Sequence, residues 1–270
     1  MSVRDAYDRA RDEGRAALVG YLPAGFPSVE GAVEAATAMV DAGCDVIEIG
    51  LPYTDPMMDG PTIQDAVHQA LVGGVRVADV FRTVEAVAAA GAPTLVMTYW
   101  NPVDHYGVDA FARDLAAAGG SGLITPDLTP EEGGAWLAAS EEHGLDRVFL
   151  VALSSTDERI ETVTGACRGF VYAASLMGVT GARTAVDTGA PRLVERTREI
   201  IGRSGARLPI GLGLGVGNGA QAAEVAGFAD GVIVGSAFVR RLLEAPDLAA
   251  GVAGVRALTE ELAAGVRKRA

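Results

Sequence analysis

The feature that most constrains the fold is a short unit that recurs along the chain. A helical stretch ends at Gly or Ala-Gly, and a short apolar run rich in β-branched residues follows almost at once. Glycine suits the position after a helix because that position often needs a positive φ. Each unit therefore predicts a helix, a tight turn and a buried strand. Five runs follow this rule and three more complete the set, at residues 17–22, 46–50, 94–98, 123–125, 148–153, 170–173, 208–212 and 231–234.

Helical patterns lie between these runs, at residues 28–42, 77–90, 108–118, 130–143, 157–166 and 193–204. Ser28 and Thr129 are predicted helix caps, each with acidic residues soon after. Short strands that alternate with helices predict a parallel sheet covered on both faces. About eight rounds in 270 residues favour an α/β fold, a (β/α)8 barrel with extra short helices. A doubly wound sheet would need fewer rounds or a second domain, and no linker divides the chain, so we predict one domain over residues 1–270.

Charge and lysine content restrict the chemistry. The chain has 22 Lys and Arg against 35 Asp and Glu, a net charge of -13. This balance argues against nucleic-acid binding, which needs clustered basic side chains, but not against a small phosphorylated ligand held by helix N-termini. Lys268 is the only lysine and lies near the chain end, so we expect neither a Schiff-base aldolase nor a pyridoxal-phosphate enzyme.

The sequence also predicts where the protein is found. Residues 1–15 are dense in charge and lack the apolar segment of a signal peptide. No apolar run approaches the roughly 20 residues of a membrane span. Cys44 and Cys167 form no disulfide framework. We therefore expect a cytoplasmic protein without a membrane partner.

Glu48 is the first candidate catalytic residue, because it lies in the predicted second strand near its carboxyl end. Active sites of such barrels form at the carboxyl ends of the strands. Side chains alternate along a strand, so Ile47 and Ile49 pack under the helices and Glu48 points inward. Loss of hydration would raise its pKa toward values useful for acid/base work. The alternative is a structural carboxylate paired with an arginine.

The loop at residues 51–61 follows this strand and carries Asp55 and Asp59. Asp-Pro and Asp-Gly are ordinary turn dipeptides, so either aspartate alone is adequately explained as a turn former. A second carboxylate close to Glu48 would, however, provide the pair that acid/base catalysis requires.

Glycine-rich segments late in the chain predict a phosphate site. Gly215 lies in the loop after the seventh predicted strand, and Gly235 and Ser236 join the eighth strand to a helix. Loops after strands seven and eight hold phosphate in many barrels. Residues 215–220 also match a loose dinucleotide fingerprint, but no acidic residue follows at the required distance. We therefore favour a phosphate monoester.

The remaining tyrosines, the loop after the sixth predicted strand and the histidines restrict the function less than the carboxylates and glycines do. Tyr21, Tyr99 and Tyr172 lie at or just beyond strands and would form either core or an aromatic mouth for a flat ligand. Residues 172–183 form a lid over the mouth or an ordinary surface loop. The three histidines show no ligand spacing, so no metal site is expected. The residues alone predict an acid/base lyase or isomerase of a phosphorylated small molecule, with no cofactor.

The run from Glu48 to Gln64, EIGLPYTDPMMDGPTIQ, closely resembles the tryptophan synthase alpha subunit family. Matching blocks lie at residues 99–101, 126–128, 178–181 and 235–237, so the resemblance covers nearly the whole chain. It implies retro-aldol cleavage of indole-3-glycerol phosphate into indole and glyceraldehyde 3-phosphate, with neither metal nor Schiff base. It also implies a partner, the pyridoxal-phosphate-dependent beta subunit, in an alpha2-beta2 complex that receives the indole.

The resemblance assigns roles by position. Glu48 would be the acid/base that protonates the indole carbon and takes the alcohol proton, and Asp59 would hold the indole N–H. Tyr21, Tyr99, Tyr172 and Thr180 would bind substrate, Gly181, Gly215, Gly235 and Ser236 would bind phosphate, and Asp55, Met57 and Met58 would contact the beta subunit. Two alternatives stay open: a stand-alone lyase that releases indole, and an inactive barrel that only activates a beta subunit.

Overall fold

The computed structural model describes residues 2–174, 189–213 and 215–268. Within these ranges the chain forms nine strands and twelve helices. The strands are β1 (Ala17–Pro23), β2 (Val46–Gly50), β3 (Thr94–Met97), β4 (Gly122–Ile124), β5 (Asp146–Val148), β6 (Leu150–Ala152), β7 (Val171–Ala174), β8 (Ile210–Gly213) and β9 (Gly231–Val234). The helices are α1 (Val3–Asp12), α2 (Val29–Ala42), α3 (Pro61–Val72), α4 (Val77–Ala89), α5 (Trp100–Tyr106), α6 (Val108–Ala117), α7 (Gly134–Glu142), α8 (Asp157–Ala166), α9 (Gly189–Arg203), α10 (Gly219–Ala226), α11 (Ser236–Leu243) and α12 (Leu248–Val266).

The sheet is parallel, in the order β5-β4-β3-β2-β1-β9-β8-β7-β6. Its two outer strands, β5 and β6, are halves of one extended segment interrupted at Phe149. Because β5 pairs with β4 and β6 pairs with β7, the sheet closes on itself as a barrel of eight segments. The predicted (β/α)8 barrel is therefore confirmed, and the single-domain boundary at 1–270 stays a prediction.

The interruption at Phe149 corrects the prediction of one continuous fifth strand over residues 148–153. The Phe149 N–H points to the Cys167 sulfur at 3.4 Å instead of joining a neighbouring strand. Its carbonyl accepts a hydrogen bond from the Tyr172 N–H at 3.1 Å. The segment thus pairs with β4 before Phe149 and with β7 after it.

Helix boundaries differ from the prediction in two places. Thr129 does not cap a helix at 130; its carbonyl accepts the Gly133 N–H at 2.8 Å in a separate turn, and α7 begins only at Gly134. Helix α9 begins at Gly189 rather than at 193. His105 lies in the last turn of α5, a helix that the sequence patterns did not predict. None of the described helices is long and apolar enough to traverse a lipid bilayer.

Strand side chains alternate between two cores, which sets the direction of Glu48. Ile47 and Ile49 pack between sheet and helices, whereas Val46 packs inside the barrel. Glu48 therefore points inward, as predicted.

Helix α1, which the sequence patterns did not predict, closes the amino-terminal end of the barrel. Ser2 and Asp5 form a reciprocal capping box at its start, with N–H to oxygen distances of 3.1 and 2.9 Å. Its apolar face joins the inner core through Val3, Ala6, Tyr7 and Ala10. Helix α1 thus closes the barrel interior at the amino ends of the strands.

Candidate active site

A cavity opens at the carboxyl ends of the strands. The residues that line it come from strands and from the loops that follow them: Tyr21, Glu48, Met58, Asp59, Ile63, Met97, Leu150, Tyr172, Ala174, Gly213, Gly215, Ile233, Gly235 and Ser236. This is the end of a (β/α)8 barrel at which catalytic groups gather. The structure thus brings both candidate carboxylates, two of the three candidate tyrosines and three candidate phosphate-binding residues to one place.

Glu48 lies on the wall of this cavity. Its Cα pairs with Tyr21 on one side and Leu95 on the other, and the residue is only 1% exposed. Its Oε1 atom has no hydrogen-bond partner among the described residues, and no arginine there pairs with it. Burial raises its pKa to about 8, because the charged form loses its hydration. The alternative of a structural carboxylate paired with arginine is not supported.

Asp59 enters the cavity from the loop between β2 and α3. It is partly buried, and burial raises its pKa to about 6. The Asp59 carbonyl accepts a hydrogen bond from Gln64 Nε2 at 2.7 Å, which ties the loop to the first turns of α3. The two carboxyl groups therefore have different pKa values at one site, the pattern by which one acts as acid while the other stays ionised.

Tyr99 does not line the cavity in the described structure. It lies just beyond β3, is buried, and its hydroxyl oxygen accepts the Met58 N–H at 2.9 Å. Tyr53 packs on it, with ring centroids 5.5 Å apart. Tyr99 thus supports the loop that presents Asp59, a role that the sequence reasoning missed because the contact spans 41 residues.

The three candidate partner-contact residues differ in exposure. Asp55 is exposed, and its carboxylate accepts a hydrogen bond from the Thr54 hydroxyl. Met57 is 68% exposed, which is unusual for a large apolar side chain. Met58 instead faces the cavity. Adjacent methionines therefore point to different surroundings, one to solvent and one to the candidate site.

Two tyrosines on the cavity wall need glycine opposite them. A Cβ atom on Gly50 would collide with the Tyr21 ring, and one on Gly213 would collide with the Tyr172 hydroxyl. Glycine allows this close approach because it has no side chain.

Tyr7 of α1 forms part of the barrel floor and was not among the candidate residues. Its ring stacks on Phe170 at 5.3 Å, and Phe170 in turn lies 6.4 Å from the Tyr172 ring. The Tyr7 hydroxyl is buried without a hydrogen-bond partner among the described residues. The signal that could have found it is its helical spacing with Val3 and Ala10, which marks the buried face of α1.

The candidate phosphate site lies at the start of α11. This helix begins at Ser236, which is buried, and Gly235 precedes it without a side-chain cap. N–H groups in a first helical turn have no partner within the helix and attract anions. Gly215 adopts a φ of 72° nearby, a conformation that favours glycine. Thr180 and Gly181, like the candidate lid, lie outside the described residues.

One group of potential metal ligands occurs in the described ranges, away from this cavity. Asp109, Glu142 and His143 lie near the starts and ends of α6 and α7, and both acidic residues are exposed. His143 Nε2 lies 2.9 Å from an Asp109 carboxylate oxygen. This is a surface hydrogen bond of the kind that needs no ion.

Comparison with known proteins gives a consistent result. The family model of the tryptophan synthase alpha chain matches residues 7–267. A tryptophan synthase alpha chain from Salinispora arenicola is 66% identical over 262 residues, covering 97% of this chain and 96% of the relative. The one from Thermobifida fusca is 62% identical over 268 residues, covering 99% and 98%. A solved structure of Mycobacterium tuberculosis tryptophan synthase superposes with a TM-score of 0.91 at 59% identity and covers 98% of each chain. The chain therefore belongs to the tryptophan synthase alpha chain family.

Proposed function

We propose that Glu48 and Asp59 form the acid/base pair of this chain's reaction. As a tryptophan synthase alpha chain, the protein is a carbon–carbon lyase that cleaves indole-3-glycerol phosphate into indole and glyceraldehyde 3-phosphate. One observation carries the assignment: both carboxyl groups line a single cavity at the carboxyl ends of the strands, where Glu48 Oε1 has no hydrogen-bond partner among the residues that the structure describes.

The cleavage needs a proton on ring carbon C3 and the loss of a proton from the neighbouring alcohol. A pKa of about 8 keeps Glu48 protonated at neutral pH, so it donates a proton to C3. Asp59, ionised above its pKa of about 6, accepts the indole N–H and stabilises the positive charge of the indolenine intermediate. The bond from C3 to the alcohol carbon then breaks and its electron pair returns to the ring. The Glu48 carboxylate accepts the alcohol proton, so one proton has moved from the alcohol to C3.

Substrate binding follows from the same cavity. Tyr21 and Tyr172 offer flat faces to the indole ring, and the start of α11 at Gly235 and Ser236 offers N–H groups to the phosphate. Gly215 allows close approach from the loop after β8. Tyr99 supports the Asp59 loop from behind. For Thr180 and Gly181, the proposed contacts with the substrate rest on the resemblance alone.

The partner is the tryptophan synthase beta subunit, which receives the indole for L-tryptophan biosynthesis. We propose that Asp55 and Met57 lie at this interface, since an exposed methionine on a polar loop suits a protein contact. Met58 faces the cavity and directly precedes Asp59, so it would transmit a change in position at the interface to Asp59. A cytoplasmic location is part of the same proposal.

Assay of indole-3-glycerol phosphate cleavage, with and without the beta subunit, tests the function. Marked acceleration by the beta subunit supports the synthase role. High activity that does not change supports a stand-alone lyase, and no turnover in either condition supports an inactive activator.

The assignment of Glu48 is tested in the same assay. Glu48→Gln should reduce turnover by roughly 10²–10⁴-fold, as expected for loss of a general acid/base, while a substrate analogue still binds. Glu85→Gln, on the exposed surface of α4, is the matched control. Wild-type turnover in Glu48→Gln would show that the assignment is wrong.

A further inference from the structure

Tyr21 lines the cavity that holds Glu48 and Asp59. It belongs to β1, its Cα pairs with that of Glu48 on β2, and the residue is 7% exposed. Because β1 lies between β2 and β9, Tyr21 stands between the strand that carries Glu48 and the strand that leads to Gly235 and Ser236. The proposed binding of indole uses the aromatic face of Tyr21 and leaves its hydroxyl group without a role.

Two glycines show how the Tyr21 ring lies. A Cβ atom on Gly235 would lie 3.3 Å from Cδ1 of the ring, whereas one on Gly50 would collide with the hydroxyl. The ring therefore extends from the start of α11 toward Gly50, the last residue of β2. Gly50 comes two residues after Glu48, so the hydroxyl covers a position roughly 6–7 Å beyond the Glu48 Cα, where the Asp59 loop begins.

The Tyr21 hydroxyl makes no hydrogen bond within the ranges that the structure describes. The Tyr99 hydroxyl, by contrast, accepts the Met58 N–H at 2.9 Å. Gly50, which the Tyr21 hydroxyl covers, already uses its carbonyl to accept the Ala24 N–H at 2.9 Å. Because a buried tyrosine hydroxyl usually has a hydrogen-bond partner, that of Tyr21 is available to a group inside the cavity.

The hydroxyl is available as a donor. Burial raises the pKa of Tyr21 well above its ordinary value, and the charges of Asp59 and then Glu48 raise it further. The group therefore keeps its proton over the working pH range and can donate it in a hydrogen bond. That the charge of Asp59 acts on it more strongly than that of Glu48 agrees with its position beside the start of the Asp59 loop.

Asp59 is the carboxyl group that needs such a donor. Its proposed role requires the ionised form, but burial raises its pKa to about 6. The hydrogen bond from Gln64 reaches the backbone carbonyl of Asp59 and not its carboxylate. A donor to the ionised carboxylate would offset the lost hydration and hold one of its oxygens in place. Glu48, in contrast, begins the proposed reaction protonated and is itself a donor.

We propose that, when the substrate is bound, the Tyr21 hydroxyl donates a hydrogen bond to one oxygen of the Asp59 carboxylate while the other oxygen accepts the indole N–H. Tyr21 is then a positioning residue, because it acts on the substrate through Asp59. The inference rests on the proposed role of Asp59 in the cleavage. Catalytic hydrogen bonds are often long in a free enzyme and shorten when the substrate binds, which agrees with the hydroxyl seen in the free chain.

This hydrogen bond would act only in the substrate complex. It would favour ionised Asp59 there, so its loss would raise the pKa of Asp59 in the complex by about one unit or more. The free enzyme would not change, because it lacks the hydrogen bond. The pH profile of kcat reports the substrate complex and that of kcat/KM reports the free enzyme, so the two profiles separate this role from a general disturbance of the loop.

Tyr21→Phe keeps the ring and removes only the hydroxyl. Cleavage of indole-3-glycerol phosphate by the full chain, with the beta subunit present, is measured from pH 4 to 9. We expect the acid limb of kcat to move to higher pH by about one unit or more, while the acid limb of kcat/KM stays at about pH 6. Tyr7→Phe is the matched control, since Tyr7 is a buried tyrosine of the barrel that does not line this cavity, and both of its acid limbs should match the wild type.

Two results in Tyr21→Phe would overturn the inference. One is an acid limb of kcat that stays at its wild-type pH, and the other is an equal movement of both limbs, which would indicate a structural effect on the loop. Asp59→Asn, assayed at high enzyme concentration, distinguishes these results from failure of the proposed function. If the acid limb is lost in Asp59→Asn, it belongs to Asp59, and an unmoved limb in Tyr21→Phe refutes the hydrogen bond alone. An acid limb that persists in Asp59→Asn would refute the acid/base pair and this inference with it.

Discussion

Replacing Glu48 by glutamine should make the folded chain more stable while it removes activity. Glutamine keeps the size of the side chain but cannot ionise. Glu48 is 1% exposed, and burial raises its pKa from 4.5 to about 8. The unfolded chain releases this proton above pH 4.5, whereas the folded chain holds it until about pH 8. The folded state therefore binds more protons in this window, and wild-type stability falls relative to the variant as the pH rises.

The size of the effect follows from the two pKa values. Each pH unit between them weakens wild-type folding by about 1.4 kcal/mol relative to Glu48→Gln. The difference from its value at acidic pH should reach about 3 kcal/mol at pH 7 and about 5 kcal/mol above pH 9. Carboxylates elsewhere titrate alike in both proteins and cancel in the comparison.

Urea unfolding at a series of pH values from 4 to 9 measures the difference in free energy of unfolding. Glu85→Gln, with its exposed side chain, should track the wild type throughout. A difference between Glu48→Gln and wild type that stays constant over this range would refute the reasoning. It would mean that Glu48 ionises as easily in the barrel as in water.

Three further outcomes are expected. The value of kcat/KM should fall below about pH 6, where Asp59 is protonated, and above about pH 8, where Glu48 is ionised; a profile that is flat from pH 5 to 9 would contradict these roles. Ser236→Asp should raise the KM for indole-3-glycerol phosphate by about tenfold or more, because the new carboxylate would repel the substrate phosphate at the start of α11. An unaltered KM would show that the phosphate does not bind at this helix start. Gly213→Ala should displace the Tyr172 hydroxyl and lower kcat/KM, by up to about 100-fold for a shift of 1 Å. Wild-type kinetics in this variant would contradict a role for Tyr172 in positioning the substrate.

Local patterns were enough to predict the barrel and the direction of Glu48. Apolar runs mark the strands, and Gly43 ends α2 with a φ of 114°, as the repeated helix–glycine–strand unit predicts. Strict alternation in β2 places Ile47 and Ile49 outside and Glu48 inside. These inferences depend only on neighbours in sequence, which is why they hold.

Features that depend on distant contacts could not be predicted. The hydrogen bond from the Met58 N–H to the Tyr99 hydroxyl joins residues 41 positions apart. The break at Phe149 arises because Cys167 competes for its N–H. The hydrogen bond from the Arg4 guanidinium to the Arg207 carbonyl, between α1 and the segment after α9, likewise joins residues 203 positions apart. No local periodicity carries this information.

The most direct test of the central claim is a crystal structure of Glu48→Gln with indole-3-glycerol phosphate bound. We expect the indole N–H about 3 Å from an Asp59 oxygen, the residue 48 side chain beside C3 and the alcohol, and the phosphate at Gly235 and Ser236. An indole ring turned away from Asp59, or a phosphate bound at another helix, would contradict it.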